Sequence, residues 1–186
     1  MKTSWRKFLY LCLLLLVIIP SKQSAAKSTS YKASNISQLF ISVSPSISAK
    51  TATNYANIII SACDKYKQDP YVIAAVVVHE STVNSKAISK GGDYGLMQIR
   101  WAVHEKSIKK EFPKVKKAKD ILDPKINIYY GTEVFAYCAK KGGSTREGIL
   151  RYSAGNEKLA DKVMNTLKEL QNKDKNTNTK SNSKKK

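Results

Sequence analysis

Apolar positions along this chain recur mostly at helical spacing, and proline and glycine punctuate the runs. From Thr51 onward, Tyr55, Ile58, Ile59, Ala62, Cys63 and Tyr66 fall on one face, which predicts a helix of about four turns. Asp69-Pro70 then reads as an N-cap followed by proline at the first helical position. The helix it opens runs to about Ser81, and from Pro70 to Val78 it is apolar on nearly every side, with His79 and the carboxylate of Glu80 at its end. Residues 82–98 contain Gly91, Gly92 and Gly95, sustain no period and read as a loop or a short irregular ribbon. A third helix is expected over Trp101 to Lys110, before Pro113. Asp123-Pro124 repeats the start signal, and Ile126, Ile128, Tyr129, Val134, Phe135 and Cys138 supply an apolar face that Gly142-Gly143 closes. Ser144-Thr145-Arg146-Glu147 is a capping box opening a short helix to Tyr152, and a last helix spans about Glu157 to Leu170. No strand pair or internal repeat stands out. The predicted fold class is mainly α, in one compact domain over 51–170.

The flanks follow other rules. Lys2, Arg6 and Lys7 precede an apolar run from Phe8 to Ile19, then Pro20 and the small residues Ser24-Ala25-Ala26. This is the pattern of a secretory signal peptide over 1–26, the other reading being a retained N-terminal anchor. It implies export to the periplasm or cell envelope, with no integral membrane segment after cleavage. Apolar residues continue past Cys12, so lipidation there is rejected. Residues 27–50, rich in Ser and Lys, read as a linker with one short docking segment around Ile36 to Val43. The Lys- and Asn-rich stretch 171–186 holds nothing to bury and reads as a disordered basic tail.

Charge narrows the partners. The net charge is +19, and +15 remains once the four cations of 1–26 are set aside. Such a chain suits nucleic acid, anionic lipid or an anionic polymer such as cell wall. Clusters interleaving aromatic and basic residues are scarce, which argues against nucleic acid. Cys63 and Cys138 either pair in an oxidising compartment or serve as small buried hydrophobes. His79 and His104 are the only histidines, and neither a metal-ligand spacing nor a Gly-rich phosphate loop is present. No metal and no cofactor are expected.

Glu80 is the candidate with chemistry attached. A carboxyl group at the end of a buried segment is held protonated, because desolvation disfavours its charged form. An acid still protonated near neutral pH suits cleavage of a glycosidic bond. Fifteen residues on stands Gly95-Leu96-Met97-Gln98-Ile99.

His79-Glu80-Ser81, Ala87-Ile88-Ser89, Gly92, Gly95 to Ile99, Asp123-Pro124, Asn127-Ile128, Gly131 and Tyr152-Ser153-Ala154-Gly155 occur in that order. In this series the chain resembles the soluble lytic murein transglycosylase family, the lysozyme-like (SLT) relatives of goose-type lysozymes, over roughly residues 55 to 165. The resemblance implies a lysozyme-like single domain of SLT type acting on peptidoglycan glycan strands. It casts Glu80 as a lone acid/base that cleaves the β-1,4 bond between N-acetylmuramic acid and N-acetylglucosamine without water, leaving a 1,6-anhydro ring. Ser89 would orient the glutamate or stabilise its own turn. Gln98 and Tyr152 would contact sugar. Met97 and Tyr130 are further substrate-binding candidates whose other fate is the core. A secretion or envelope machine is a further candidate partner.

Three positions depart from the family pattern. Ser153 replaces the commoner Asn. Trp101 stands near a usual Pro, free to stack on a sugar or to be buried. Asp93 replaces a small residue, as a solvated turn residue or as a second carboxylate that holds water. The last option keeps a hydrolytic muramidase open, and a non-catalytic wall-binding component of a secretion or conjugation apparatus is the rival from another class.

Overall fold

The computed structural model describes the backbone of residues 22–183 and the side chains of 29–176. Two compact units divide the chain, Met1–Ser30 and Tyr31–Lys186. Most of the expected signal peptide lies outside the described residues. Among those described, no helix is long and apolar enough to cross a membrane.

Helix α1 (Lys22–Val43) occupies most of the stretch expected as a linker over 27–50, and the docking segment expected around Ile36 to Val43 is its buried part. Ile36 and Phe40 are fully buried, and Ala33, Leu39 and Val43 pack beside them at helical spacing. The serines dilute this stripe in the sequence: Ser34 and Ser42 are exposed, whereas Ser37 is buried with it. Buried polar groups on α1 are matched: Asn35 Nδ2 donates to Tyr71 Oη at 3.0 Å, and the Ser37 and Thr53 hydroxyls bond at 3.2 Å. The segment is part of the core.

Helix α2 (Ala49–Tyr66) starts where the Ser48 hydroxyl accepts from Thr51 N. Helix α3 (Pro70–Ser81) is capped by Asp69, which accepts from Tyr71 N at 2.9 Å. Every residue from Tyr71 to Val78 is buried, as an all-round apolar helix requires. Thr82 and Val83 then turn the chain with φ of 52° and 62°. Left-handed backbone is costly for β-branched residues, so the strain sits directly after Glu80.

Strands β1 (Asp93–Tyr94) and β2 (Ile99–Arg100) form an antiparallel pair with Asp93 opposite Arg100 and Tyr94 opposite Ile99. The sequence allows a short irregular ribbon here but does not fix the pairing, because two residues cannot display a period of two. Helix α4 (Trp101–Glu111), a 3-10 turn (Ala118–Leu122), α5 (Pro124–Gly142), α6 (Thr145–Tyr152) and α7 (Glu157–Ser183) complete the order. Helix α3 packs against α2 and α7, while α5 packs against α2 and α6. Leu170 is the last buried side chain of α7 among the described residues. Cys63 and Cys138 are free, and burial pushes the Cys63 thiol up to about 12, so it behaves as an inert hydrophobe.

Because Phe40 is enclosed, Phe40→Ala should cost about 3–5 kcal/mol in urea unfolding, the usual cost of emptying a buried aromatic site. A residue in a linker would leave the midpoint unchanged.

Candidate active site

Two elements meet around Glu80: the end of α3, and the loop joining β1 to β2. The loop is held from three directions. Asn127 on α5 is buried, its Oδ1 accepts from Met97 N at 2.8 Å, and its Nδ2 donates to Tyr94 O at 2.8 Å and Ile121 O at 2.9 Å. Tyr152 Oη donates to Met97 O at 2.7 Å, so both polar backbone groups of Met97 are anchored. Gln98, at φ 48°, folds back to donate from Nε2 to Gly95 O at 2.8 Å. Gly95 is required twice over, since its φ is +75° and a Cβ there would overlap the Asn127 amide.

These elements border a cleft of about 520 Å³. Glu80, Ser89, Asp93, Gln98 and Arg100 line it, with Val103 and His104 from α4 and Val134 from α5. Tyr152, Ser153, Ala154, Asn156 and Leu159 border it from the α6–α7 side. Burial, and secondarily the charge of Asp93, push the Glu80 carboxyl up to about 7. Burial also pushes the Tyr152 phenol far up, with the Glu80 charge second, so it stays a neutral hydroxyl.

Asp93 is tied down. Arg100 donates to it through Nε at 2.7 Å and a terminal nitrogen at 2.9 Å, and Ser89 Oγ donates at 2.8 Å. The Arg100 bond leads the causes that hold the Asp93 carboxyl below its ordinary value. Ser89 Oγ in turn accepts from Asp93 N at 3.0 Å and Gly91 N at 3.2 Å. Its hydroxyl proton therefore goes to Asp93 and organises the turn, although Ser89 borders the same cleft as Glu80.

The candidates thus divide. Glu80, Ser89, Gln98 and Tyr152 share the cleft, and so do Asp93 and Ser153. Ser153 Oγ donates to Ile149 O at 2.9 Å and closes α6. Met97 and Tyr130 are not among the cleft's lining residues. Met97 is fully buried against Gly131, where a Cβ would run into its sulfur, and Tyr130 stands behind His104 with Oη 3.1 Å from Nδ1. Trp101 packs beside the core under Lys109, also off the lining. The sequence reading missed Arg100 and His104. For Arg100 the available signal was an acid and a base flanking Tyr-Gly-Leu-Met-Gln-Ile; a lone histidine on a helix offered none. Among the described residues no group of three or more His, Cys, Asp or Glu could hold a metal.

The fold and its family are fixed by comparison with known proteins. The Transglycosylase SLT domain family matches residues 57–177, and the chain belongs to that family. It is 33% identical over 109 residues to membrane-bound lytic murein transglycosylase E of Buchnera aphidicola subsp. Acyrthosiphon pisum (strain APS). That match covers 55% of this chain and 48% of the relative, so the chain spans about half of that protein. The crystal structure of the 70 kDa soluble lytic transglycosylase from Escherichia coli superposes with a TM-score of 0.52 at 23% identity, covering 80% of this chain and 25% of that one. This likeness shows the fold.

The raised Glu80 carboxyl predicts a pH-dependent cost to stability. The fold binds the proton more tightly than the unfolded chain, so stability is full below the ordinary value near 4.5 and declines as pH rises towards about 7. Glu80→Gln removes the group. It should match the wild type near pH 4 and be more stable at pH 8, by at most about 3 kcal/mol, in thermal or urea unfolding.

Proposed function

We propose that the protein is a peptidoglycan lytic transglycosylase in which Glu80 is the only catalytic acid and base. One observation carries the reading: Glu80 keeps its proton up to about 7 in a cleft whose other carboxylate, Asp93, is held ionised by Arg100 and Ser89. Glu80 first protonates the glycosidic oxygen between N-acetylmuramic acid and N-acetylglucosamine, and the leaving sugar departs with that proton. The Glu80 carboxylate then takes the proton of the muramic C6 hydroxyl as that oxygen bonds to C1, which closes the 1,6-anhydro ring. Acid in one half-step and base in the next, the group works best with an affinity near the working pH. The nucleophile belongs to the substrate, so no second carboxylate is needed, unlike paired-carboxylate glycosidases.

Hydrolysis by the same fold requires a base to activate water. Asp93 is poor at that task, because its oxygens already accept from Arg100 and Ser89 and its proton affinity is lowered. Tyr152 and Gln98 present neutral polar groups along the cleft, which suits sugar hydroxyls. The strongly basic surface would draw the exported enzyme to the anionic wall, an attraction that weakens with salt.

Mass spectrometry of digested sacculi should find 1,6-anhydromuramic ends; reducing ends alone would overturn the lyase assignment. Glu80→Gln should lower turnover by about 10³-fold or more, whereas a purely wall-binding role would leave glycan cleavage untouched. Because the acid step needs protonated Glu80, kcat/KM should fall as pH rises past about 7, roughly tenfold per unit.

A further inference from the structure

Ion pairs bordering a cleft usually serve either to bind a charged ligand or to brace a loop. The pair in this cleft is placed to do something else. Asp93 and Arg100 face each other across the β1–β2 register, and both border the cleft that holds Glu80. Their exposures differ: the Arg100 side chain is 53% exposed and the Asp93 side chain 19%. A charge in water is screened, while one withdrawn from it acts on its neighbours at closer to full strength. Glu80 therefore senses the pair chiefly through its negative member.

Among the described residues no other charged side chain lines this cleft at neutral pH. His104 faces the cleft from α4, and burial holds its imidazole below the ordinary value and hence neutral. Tyr152 faces it from α6 as a neutral phenol. Helices α5 and α7 contribute the apolar Val134 and Leu159. On α3 itself, His79 bonds Thr166 through Nε2 at 2.9 Å and is likewise kept neutral by burial. Asp93 and Arg100 are the charged pair that Glu80 meets among the described residues.

We propose that this pair tunes Glu80: Asp93 is a positioning residue that raises the proton affinity of Glu80 through space, and Arg100 limits how far it does so. The proposal rests on Glu80 being the acid of the preceding section. Removing Asp93 leaves Glu80 opposed by burial alone, so it ionises at lower pH. Removing Arg100 leaves Asp93 charged and uncompensated, because a released Asp still ionises well below pH 7, so Glu80 ionises at higher pH. A pair that merely braced the hairpin would harm activity in both variants and move neither profile.

The test is kcat/KM against pH on purified sacculi for the full chain and two variants. In Asp93→Asn the alkaline limb should move down by roughly half a pH unit, about a threefold loss in rate at pH 8. In Arg100→Gln it should move up, by less than the Asp93→Asn shift because the exposed guanidinium is the more screened of the two charges. Limbs that stay in place, or that move the same way, overturn the proposal. Carbon-13 titration of the labelled Glu80 carboxyl reads the same shifts without turnover, so it decides the matter even where a variant is inactive. Should Arg100→Gln fail to fold, Arg100→Lys keeps the charge without the fork; its Glu80 titration should stay close to wild type, and a shift as large as that of Asp93→Asn overturns the proposal. A wild type that cleaves no glycan, yet shows opposed carboxyl shifts, would sink the function and keep the tuning.

Discussion

The side chain of Asn127 joins pieces of chain that lie far apart in the sequence. A pair of two-residue strands is far too short to be stable in water. Here it persists because one buried amide serves three backbone groups, on Met97, Tyr94 and Ile121. Any of those groups left unpaired in the interior would cost on the order of 1–3 kcal/mol, so alternatives that break the set are disfavoured. Gly95 has lost its side chain to make room for this amide, and Met97 is driven down into the space Gly131 leaves open. The cleft wall is the outer surface of that arrangement.

Opposite this wall, α3 acts as a rigid post. Its apolar residues are buried against helices on several sides, so Glu80 has little freedom to drift towards water. The same burial that stabilises α3 disfavours ionised Glu80. Left-handed backbone at Thr82 and Val83 then sends the chain off abruptly, leaving the carboxyl at the mouth of the cleft. Core packing, backbone strain and a proton held near neutrality are thus concentrated within a few residues, a common signature of sites whose stability is sacrificed to chemistry.

Much of the fold could be read directly because its signals are local. Asp-Pro starts at 69–70 and 123–124, the capping box at 144–147 and the glycine stop after Lys141 each describe a helix end that forms from adjacent residues alone. Helix α1 was legible only as a short docking segment around Ile36 to Val43, because serine dilutes its apolar stripe, and the core it meets shows its full extent. Tyr130 and Met97 carry the types expected of substrate contacts, yet both lie behind the cleft surface. Side-chain chemistry says what a residue can do; its facing neighbours decide whether it is in position to do it.

Glu80 and its place at the end of an apolar helix were determined by the sequence itself, since burial of that helix follows from its composition and desolvation acts on whatever acid ends it. Asp93 was legible as a residue and illegible as a role: a glycine-rich turn allows a solvated carboxylate, a water-holding base or one arm of an ion pair. The antiparallel register sets it against Arg100, and the turn brings Ser89 to its other oxygen, so in the structure it is one arm of an ion pair. Such pairings depend on the path of the backbone in space, which no spacing along the chain records. Only the tertiary structure placed Asp93, with Arg100 as its partner, on the cleft of Glu80, where its charge adds to the larger effect of burial.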